Sequence, residues 1–385
     1  MGIISLECGI DRIDEAASLL QGKRIGLITS PTGINAAFRP TIDVLQERFG
    51  LTALFSPEHG VRGDLEAGAL VETYIDERSG VPVYSLYRRD SKRLTPEMLE
   101  RIDVLVYDIQ DIGTRYYTFI YTMLYALEDC AVAGIPFVVL DRPNPLDGAT
   151  VEGSVLEDGF RSFVGDYPLA VRYGLTAGEV AEMANAEQGW GAKLHVIRCR
   201  GWKRSMRFPE TGRVWIAPSM NIPSYHTALL YPGTCLFEGM NLSEGRGTTA
   251  PFELIGAPFV DAELLAEEMN GQKLPGVQFR PMHFKPSASK HQGMLCGGVY
   301  IHVLDGWAVK PVEIGVRLLL TVRCLFSEAQ FLPPLREGGR PFIDLLAGGE
   351  LYRGMESLSD AEALLERFRR ESEAFVERKK VYHLY

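Results

Sequence analysis

Short apolar runs alternate with helical patterns along the first half of the chain, and this alternation limits the possible folds most. Runs near 23–30, 51–55, 81–86, 104–107 and 135–140 have the length and composition of buried strands. Helical patterns lie between them, near 41–49, 95–101 and from Thr114 to about 133. Strands that alternate with helices at this spacing are parallel and joined by right-handed crossovers, so we predict an α/β fold with a doubly wound sheet.

The alternation loosens after Gly148. A helix near 176–188 and strands near 193–199 and 214–217 are the last elements of this kind, and Pro, Gly and Ser are dense from 218 to 256. We therefore place a junction near residue 225, between a domain of residues 1–225 and a smaller α+β domain of residues 226–385. In the second domain, the patterns predict helices at 261–269, 311–326 and 360–379 and strands at 277–284 and 298–303.

Composition excludes several classes of protein. The 385 residues and 46% hydrophobic content suffice for two domains with full cores, and the net charge of −10 argues against a duplex nucleic-acid binder. No apolar run is long enough to cross a bilayer, and the N-terminus lacks the pattern of a secretory signal, so we expect a cytoplasmic protein without membrane contact. The 6 cysteines are dispersed without a C-x-x-C pair, which favours reduced core thiols over a zinc site.

Compact polar loops follow the predicted strands at several places. They are Glu58–Gly60, Asp108–Arg115, Asp141–Asn144 and Ser219–Pro223, with a fifth, glycine-rich loop at Glu238–Thr249. Ligands of open α/β sheets bind beyond the carboxyl ends of the strands, so these loops predict a pocket. The sequence has neither a P-loop nor a G-x-G-x-x-G after its first strand, and we predict no nucleotide cofactor.

Each candidate side chain also has a structural interpretation. Glu58 and His59 are suited to acid/base work or to metal binding, but they also fit a turn whose carboxylate accepts backbone N–H groups. Glu244 and Arg246 lie among glycines that let a backbone approach a ligand, or they belong to a solvated turn. Asp108 and Asp111 fit helix-cap or turn roles equally well. Tyr116, Tyr117 and Tyr121 have helical spacing, so some of these rings belong to the core.

Five of the motifs resemble one known family. Ser-Pro-Glu-His-Gly (56–60), Tyr-Asp-Ile-Gln-Asp-Ile-Gly-Thr-Arg-Tyr-Tyr-Thr (107–118), Asp-Arg-Pro-Asn-Pro (141–145), Pro-Ser-Met-Asn-Ile-Pro (218–223) and Ser-Glu-Gly-Arg-Gly-Thr-Thr (243–249) resemble the NamZ exo-β-N-acetylmuramidases. The resemblance covers nearly the whole chain. It implies a Rossmann-like catalytic domain, a smaller C-terminal domain and an active site in the cleft between them. It also implies release of N-acetylmuramic acid from the non-reducing end of peptidoglycan fragments.

The resemblance suggests roles for the candidates. We expect Glu58 to be the general acid, with His59 setting its environment, and Glu244 to lead Asp108 and Asp111 for the second catalytic role. The substrate's own 2-acetamido oxygen is an alternative nucleophile. The lactyl carboxylate of muramic acid needs a cation, for which Arg62, Arg115, Arg142 and Arg246 are candidates. Other predicted substrate-binding residues are Gln110, Tyr116, Tyr117, Asn144 and Asn221.

Two other classes of function remain open at this point. A non-catalytic muropeptide-binding protein would keep the arginines and aromatic rings without needing Glu58. A metal-dependent hydrolase would use Glu58, His59 and Asp108, although the sequence lacks a tight ligand spacing. We predict a small sugar as the binding partner, no cofactor and no metal. The sequence predicts no oligomeric state.

Overall fold

The computed structural model describes residues 6–63, 73–355 and 357–385. The strands in this part of the chain are β1 (Ile25–Thr29), β2 (Leu51–Ser56), β3 (Tyr74–Ile75), β4 (Pro82–Ser85), β5 (Val104–Asp108), β6 (Phe137–Leu140), β7 (Glu152–Val155), β8 (Ala170–Arg172), β9 (Leu194–Ile197), β10 (Leu254–Ala257), β11 (Val277–Phe284) and β12 (Cys296–Val303). The α-helices are α1 (Ala17–Leu20), α2 (Thr41–Arg48), α3 (Pro96–Leu99), α4 (Phe119–Ala133), α5 (Ala177–Gln188), α6 (Tyr225–Thr234), α7 (Ala262–Gly271), α8 (Pro311–Leu325), α9 (Phe342–Ala347) and α10 (Leu358–Lys379). Shorter 3₁₀ segments lie at Gly9–Ala16, Phe208–Thr211, Cys235–Gly239 and Lys380–Tyr382.

The main sheet has seven strands in the order β3-β4-β2-β1-β5-β6-β9. Its strands are parallel except for β3, which pairs antiparallel with β4. All residues of β1 and β5 are buried, as expected for central strands covered on both faces. The chain moves outward from β1 through β2 to β4 and then returns to place β5 on the other side of β1, so the order reverses between β1 and β5. The predicted α/β, doubly wound, Rossmann-like sheet is confirmed.

The helix after β5 begins later than the sequence predicts. We expected Thr114 to cap it, but α4 starts at Phe119 and Thr118 is its N-cap residue. Thr114 instead forms an isolated bridge with Arg172, and the Arg115 N–H donates to the Val171 carbonyl at 2.8 Å. Pairing with β8 therefore holds residues 114–117 out of the helix, and the predicted helical spacing of Tyr116 and Tyr117 is wrong.

Two further differences from the prediction concern the middle of the chain. Residues 214–217 form no strand, and the β7–β8 hairpin, which the sequence did not predict, pairs antiparallel beside the main sheet. Helix α6 begins at Tyr225, where we placed the domain junction. It lies within the stretch that looked like loop because of its proline and glycine content, and Pro232 is inside it.

The C-terminal part of the chain is α+β. Strands β10, β12 and β11 form a three-stranded antiparallel sheet, and α7 and α8 pack with it in the same hydrophobic core. Helix α10 returns to the N-terminal part: Glu371 accepts the Val155 N–H at 2.8 Å, and the buried Lys379 Nζ donates to the Gly148 carbonyl at 2.8 Å. None of the helices in the described residues has the length and apolar content needed to span a bilayer.

Candidate active site

A cavity of about 320 Å³, called the crevice below, lies where the carboxyl end of the main sheet meets the C-terminal part of the chain. Its volume is near the lower end of the range of about 300–1,000 Å³ for small-molecule pockets. The described residues that line it are Glu58, His59, Tyr87, Tyr116, Tyr117, Thr118, Phe163, Val164, Ser219, Asn221, Ile222, Tyr231, Glu238, Arg246, Phe252 and Phe342. Residues from both sides of position 225 therefore form one site.

Glu58 lies in the turn that follows β2 and is half-buried. The Thr118 hydroxyl, at the N-terminus of α4, donates to Glu58 Oε2 at 2.7 Å. Tyr87 also hydrogen-bonds to Glu58, and burial together with the nearby carboxylate raises the pKa of Tyr87 to about 12. His59 has φ +74°, and its ring meets the Phe119 ring edge-on at 6.2 Å. These contacts hold the Glu58 carboxyl group in the crevice.

Aromatic rings form one wall of the crevice. The Tyr117 and Tyr231 ring centroids are 6.0 Å apart, and Tyr231 packs against Phe252 at 4.7 Å. The Tyr116 hydroxyl donates to the Pro232 carbonyl at 2.5 Å. Burial raises the pKa of Tyr117 and Tyr231, so both hydroxyls stay protonated. Such a wall suits the apolar face of a pyranose ring.

Glu238 is the second carboxyl group among the described lining residues, and it was not one of our candidates. Arg246 binds Glu238 Oε1 through Nε at 2.9 Å and Nη2 at 2.5 Å. The Glu238 side chain is 19% exposed, and burial raises its pKa while Arg246 opposes the rise. In the sequence, Glu238 is only the first residue of the glycine-rich loop. Its partner Arg246 lies eight residues away in an irregular segment, so no regular spacing predicts that the two side chains form an ion pair.

Glu244 lies deeper in the same loop and lines a neighbouring cavity of about 1150 Å³. This larger cavity shares Asn221, Glu238, Arg246 and Phe342 with the crevice, so the two spaces adjoin. Glu244 is buried and pairs with Lys290 Nζ at 2.8 Å and with Arg246 Nε at 3.3 Å. The structure thus brings Glu58, His59, Tyr116, Tyr117, Asn221 and Arg246 together, with Glu244 next to them.

Asp108 and Arg142 form a buried ion pair away from the crevice lining. Arg142 Nε lies 2.5 Å from Asp108 Oδ1, and Arg142 Nη2 lies 2.9 Å from Oδ2. Thr41 donates a further hydrogen bond to the same carboxylate. This pair lies at the carboxyl ends of β5 and β6, where Arg142 and Gln110 line a separate cavity of about 260 Å³.

Arg115 and Asn144 are also outside the crevice lining and serve as buried connectors. The Arg115 guanidinium is fully buried, and burial lowers its pKa. It donates to the carbonyls of Ser154 (2.6 Å), Leu169 (3.0 Å), Leu346 (2.8 Å) and Ala347 (2.9 Å). Asn144 Nδ2 donates to the Leu175 carbonyl at 2.8 Å, and Asn144 Oδ1 accepts the Leu146 N–H at 2.9 Å.

Arg62 and Asp111 likewise have structural partners. Arg62 binds Asp76 through two nitrogens at 2.8 and 3.0 Å, and this pairing holds the pKa of Asp76 well below its usual range. Asp111 is buried and accepts hydrogen bonds from the Gly113 N–H at 2.7 Å and from the Tyr173 hydroxyl. Burial raises the pKa of Asp111 to about 6.

Within residues 6–63, 73–355 and 357–385, no group of three or more His, Cys, Asp or Glu side chains is arranged to hold a metal ion. The arrangement in the crevice is instead one of two carboxyl groups, a guanidinium and aromatic rings. It can position a sugar ring and transfer a proton to or from it.

The fold and the crevice define a two-part α/β protein of the glycosidase type. The chain belongs to the NamZ family: "Exo-beta-N-acetylmuramidase NamZ, N-terminal" matches residues 25–226, and "Exo-beta-N-acetylmuramidase NamZ, C-terminal" matches residues 229–385. It is 46% identical to the peptidoglycan beta-N-acetylmuramidase NamZ of Bacillus subtilis strain 168 over 99% of this chain and 91% of that protein.

Two crystal structures of DUF1343 family proteins from Bacteroides fragilis NCTC 9343 have the same fold. One is 39% identical with a TM-score of 0.89 over 100% of both chains. The other is 30% identical with a TM-score of 0.77 over 99% of both chains. The resemblance predicted from the five sequence motifs is therefore confirmed.

Proposed function

We propose that this protein is an exo-acting glycosidase that releases N-acetylmuramic acid from the non-reducing end of peptidoglycan fragments such as MurNAc-β-1,4-GlcNAc. Its relationship to the Bacillus subtilis enzyme along almost the whole chain supports this substrate class. The observation that carries the proposal is the position of Glu58, which lies in a sugar-sized, aromatic-walled crevice and is held there by Thr118.

In the proposed reaction, the Glu58 carboxyl group donates a proton to the oxygen of the departing GlcNAc. The bond between that oxygen and C1 of MurNAc breaks through an oxocarbenium-like transition state, and water supplies the new hydroxyl group at C1. The attacking water releases its other proton to solvent, and Glu58 regains one proton from solvent, so no net proton is consumed. A second carboxyl group stabilises the positive charge at C1 or orients the group that attacks it.

Glu238 is our first choice for this second role because it lines the same crevice as Glu58. Glu244, the leading candidate from the sequence, lies in the adjoining cavity and is paired with Lys290. For the lactyl carboxylate we propose Arg246, which lines both spaces. Arg62, Arg115 and Arg142 are already paired or hydrogen-bonded outside the crevice lining.

Replacing Glu58 tests the proposal. Glu58→Gln keeps the size of the side chain but removes the titratable proton, so we expect loss of at least about 100-fold in turnover of a chromogenic MurNAc glycoside. Glu47→Gln, at an exposed glutamate in α2, is the control and should retain normal turnover. Circular dichroism establishes that both variants are folded.

Two outcomes would contradict the proposal. Near-normal turnover by Glu58→Gln would remove Glu58 from the acid role. If the wild-type protein binds MurNAc-GlcNAc but releases no free sugar, the protein is a muropeptide-binding protein and not a glycosidase.

A further inference from the structure

The separate cavity that Arg142 and Gln110 line, called the switch-point cavity below, lies at the reversal of strand order between β1 and β5. Its volume is about 260 Å³, and it is lined by the loop after β1, by Gln110 and Arg142 after β5 and β6, and by residues 211–216. This is the position at which doubly wound sheets ordinarily bind their ligands. The proposed glycosidase reaction uses the crevice and leaves this cavity unexplained.

Two buried side chains each keep one polar atom available to the cavity. Arg142 is 5% exposed and uses Nε and Nη2 for Asp108 and the Ile34 carbonyl. Gln110 is 7% exposed and uses Nε2 for the Asp111 and Pro143 carbonyls. Within the described residues, Arg142 Nη1 and Gln110 Oε1 make no hydrogen bond, and neither atom is sealed from solvent. Because both side chains line the cavity, Arg142 Nη1 can act there as a hydrogen-bond donor and Gln110 Oε1 as an acceptor.

The remaining described lining residues are mainly aromatic and apolar, with Thr32, Asn35 and Thr211 as further polar groups. Phe38 is 58% exposed at the rim and has φ +60°, a backbone conformation that is costly for a bulky residue. Trp215 forms a wall, and Val214, 61% exposed, lies beside it. Backbone strain of this kind clusters at active sites and ligand-binding positions, so Phe38 is a candidate contact for a ligand.

The charges around the cavity are matched. Arg142 pairs with Asp108, and Arg213, the other charged residue among the described lining residues, lies 2.9 Å from Asp11 Oδ2. An anionic ligand would therefore find no unmatched cation. A neutral ligand with one acceptor, one donor and an apolar face fits this site best.

We propose that the switch-point cavity binds a single neutral N-acetyl amino sugar, of which GlcNAc is the example that the proposed reaction would release. The amide oxygen of the sugar accepts from Arg142 Nη1, a sugar N–H or hydroxyl donates to Gln110 Oε1, and the ring packs on Phe38. The choice of sugar rests on the proposed function; the existence of the site rests on the cavity itself.

The switch-point cavity and the crevice share a stretch of backbone. Trp215 Nε1 donates to the Ile222 carbonyl at 3.2 Å, and Ile222 lines the crevice. A ligand against Trp215 is thus one hydrogen bond away from the catalytic crevice. Because of this hydrogen bond, a ligand in either the switch-point cavity or the crevice can change the environment of Trp215. A spectroscopic signal from Trp215 must therefore be assigned to one of these two cavities.

¹⁹F NMR of the 5-fluorotryptophan-labelled protein tests the site. The chain has 4 tryptophans, and Trp215 alone among them lines a described wall of this cavity. We expect GlcNAc to shift the Trp215 resonance saturably. Phe38→Asn, which suits the positive φ and removes the ring, should weaken this binding about tenfold. Leu335→Asn, at an exposed residue outside the cavity, should leave it unchanged.

The variants in the crevice separate this proposal from the proposed function. Glu58→Gln and Asn221→Ala should both retain the GlcNAc-dependent shift of Trp215, whatever their effect on hydrolysis. The proposal is overturned if no saturable shift occurs, if Asn221→Ala removes the shift while Phe38→Asn does not, or if MurNAc binds there more tightly than GlcNAc.

Discussion

At the scale of the residue, Thr118 is the hydroxyl that orients the proposed acid. One neutral hydrogen bond contributes about 0.5–1.5 kcal/mol, and up to about 3 kcal/mol when its acceptor is charged. We therefore expect Thr118→Val to lower kcat/KM on MurNAc-GlcNAc by about tenfold without unfolding the protein. Thr122→Val, one turn further along α4, is the control because Thr122 does not line the crevice. Equal losses in both variants would indicate a general effect on the helix.

Substitutions of the two glutamates of the glycine-rich loop should affect different properties, one the turnover number and the other the stability. Glu238→Gln should reduce kcat at least about 100-fold with little change in stability, because Glu238 is partly exposed in the crevice. Glu244→Gln should mainly lower the free energy of unfolding, since it leaves Lys290 without its buried carboxylate. Steady-state kinetics and urea denaturation of both variants decide the matter. The reverse pattern would return the second catalytic role to Glu244.

From the buried Asp111 carboxyl group we predict a specific pH dependence of the free energy of unfolding. Burial raises its pKa to about 6, whereas the pKa of an unfolded aspartate is about 3.9. Between these pH values the folded protein holds a proton that the unfolded chain has lost. The free energy of unfolding therefore falls as pH rises through this window, by at most about 3 kcal/mol for this group.

Urea denaturation between pH 4 and 7 measures this effect. Asp111→Asn should flatten the profile, because the amide keeps an oxygen for Gly113 and Tyr173 but has no proton to lose. Asp141, whose pKa burial also raises to about 6, should still contribute its own slope in that variant. An unchanged profile in Asp111→Asn would contradict the prediction.

The sequence predicted the type of candidate residue better than its role. Glu58, Tyr117 and Arg246 came together in the crevice as expected from their positions in polar loops. Arg115 and Asp108 have the same local signals, but their partners lie elsewhere in the chain: the Ala347 carbonyl is 232 residues from Arg115. A loop motif does not show whether a charged side chain in it binds a ligand or binds protein groups far away in the chain. The roles of such residues therefore follow only from the three-dimensional structure.

At the scale of the element, the glycine-rich loop (238–249) depends on its backbone conformation at Gly245. Gly245 has φ +81°, and a Cβ there would lie 2.7 Å from the Ala250 carbonyl oxygen. Gly245→Ala should therefore displace the neighbouring Arg246 and raise KM for MurNAc-GlcNAc at least about tenfold. Gly271→Ala is the control, because nothing lies within 4 Å of its added Cβ. A normal KM in Gly245→Ala would show that the loop adapts or that it does not bind substrate.

The elements that the sequence predicted correctly are those whose apolar pattern is local. Strands β1, β2, β5 and β11 and helices α5, α8 and α10 lie close to their predicted positions. The start of α4 and the β7–β8 hairpin were not predictable in the same way. The start of α4 depends on the pairing of residues 114–115 with 171–172, which is a contact between segments far apart in the chain. Strands β7 and β8 are short and are joined by residues 156–169, so no tight turn motif marks their pairing.

At the scale of the whole molecule, Arg115 joins the two parts of the chain. It binds carbonyls of Ser154 and Leu169 on one side and of Leu346 and Ala347 in α9 on the other. Arg115→Met would leave these buried acceptors without donors, so we expect the free energy of unfolding to fall by about 3 kcal/mol or more. Arg340→Met, at an exposed arginine, should cost less than about 1 kcal/mol.

Kinetics of Arg115→Met at low temperature, where the variant is folded, distinguish this structural role from substrate binding. We expect KM for MurNAc-GlcNAc to stay within about twofold of the wild type. A large rise in KM with unchanged stability would instead support the lactyl-binding role that the sequence suggested for Arg115.

Because Glu58 comes from one side of the junction and Glu238 and Arg246 from the other, neither half of the chain holds all of the proposed catalytic groups. If the chain is divided in the loop before α6, we expect neither fragment alone to hydrolyse MurNAc-GlcNAc. Activity should return only when the two fragments reassociate. A gene that encodes either half by itself would therefore encode only part of the proposed active site.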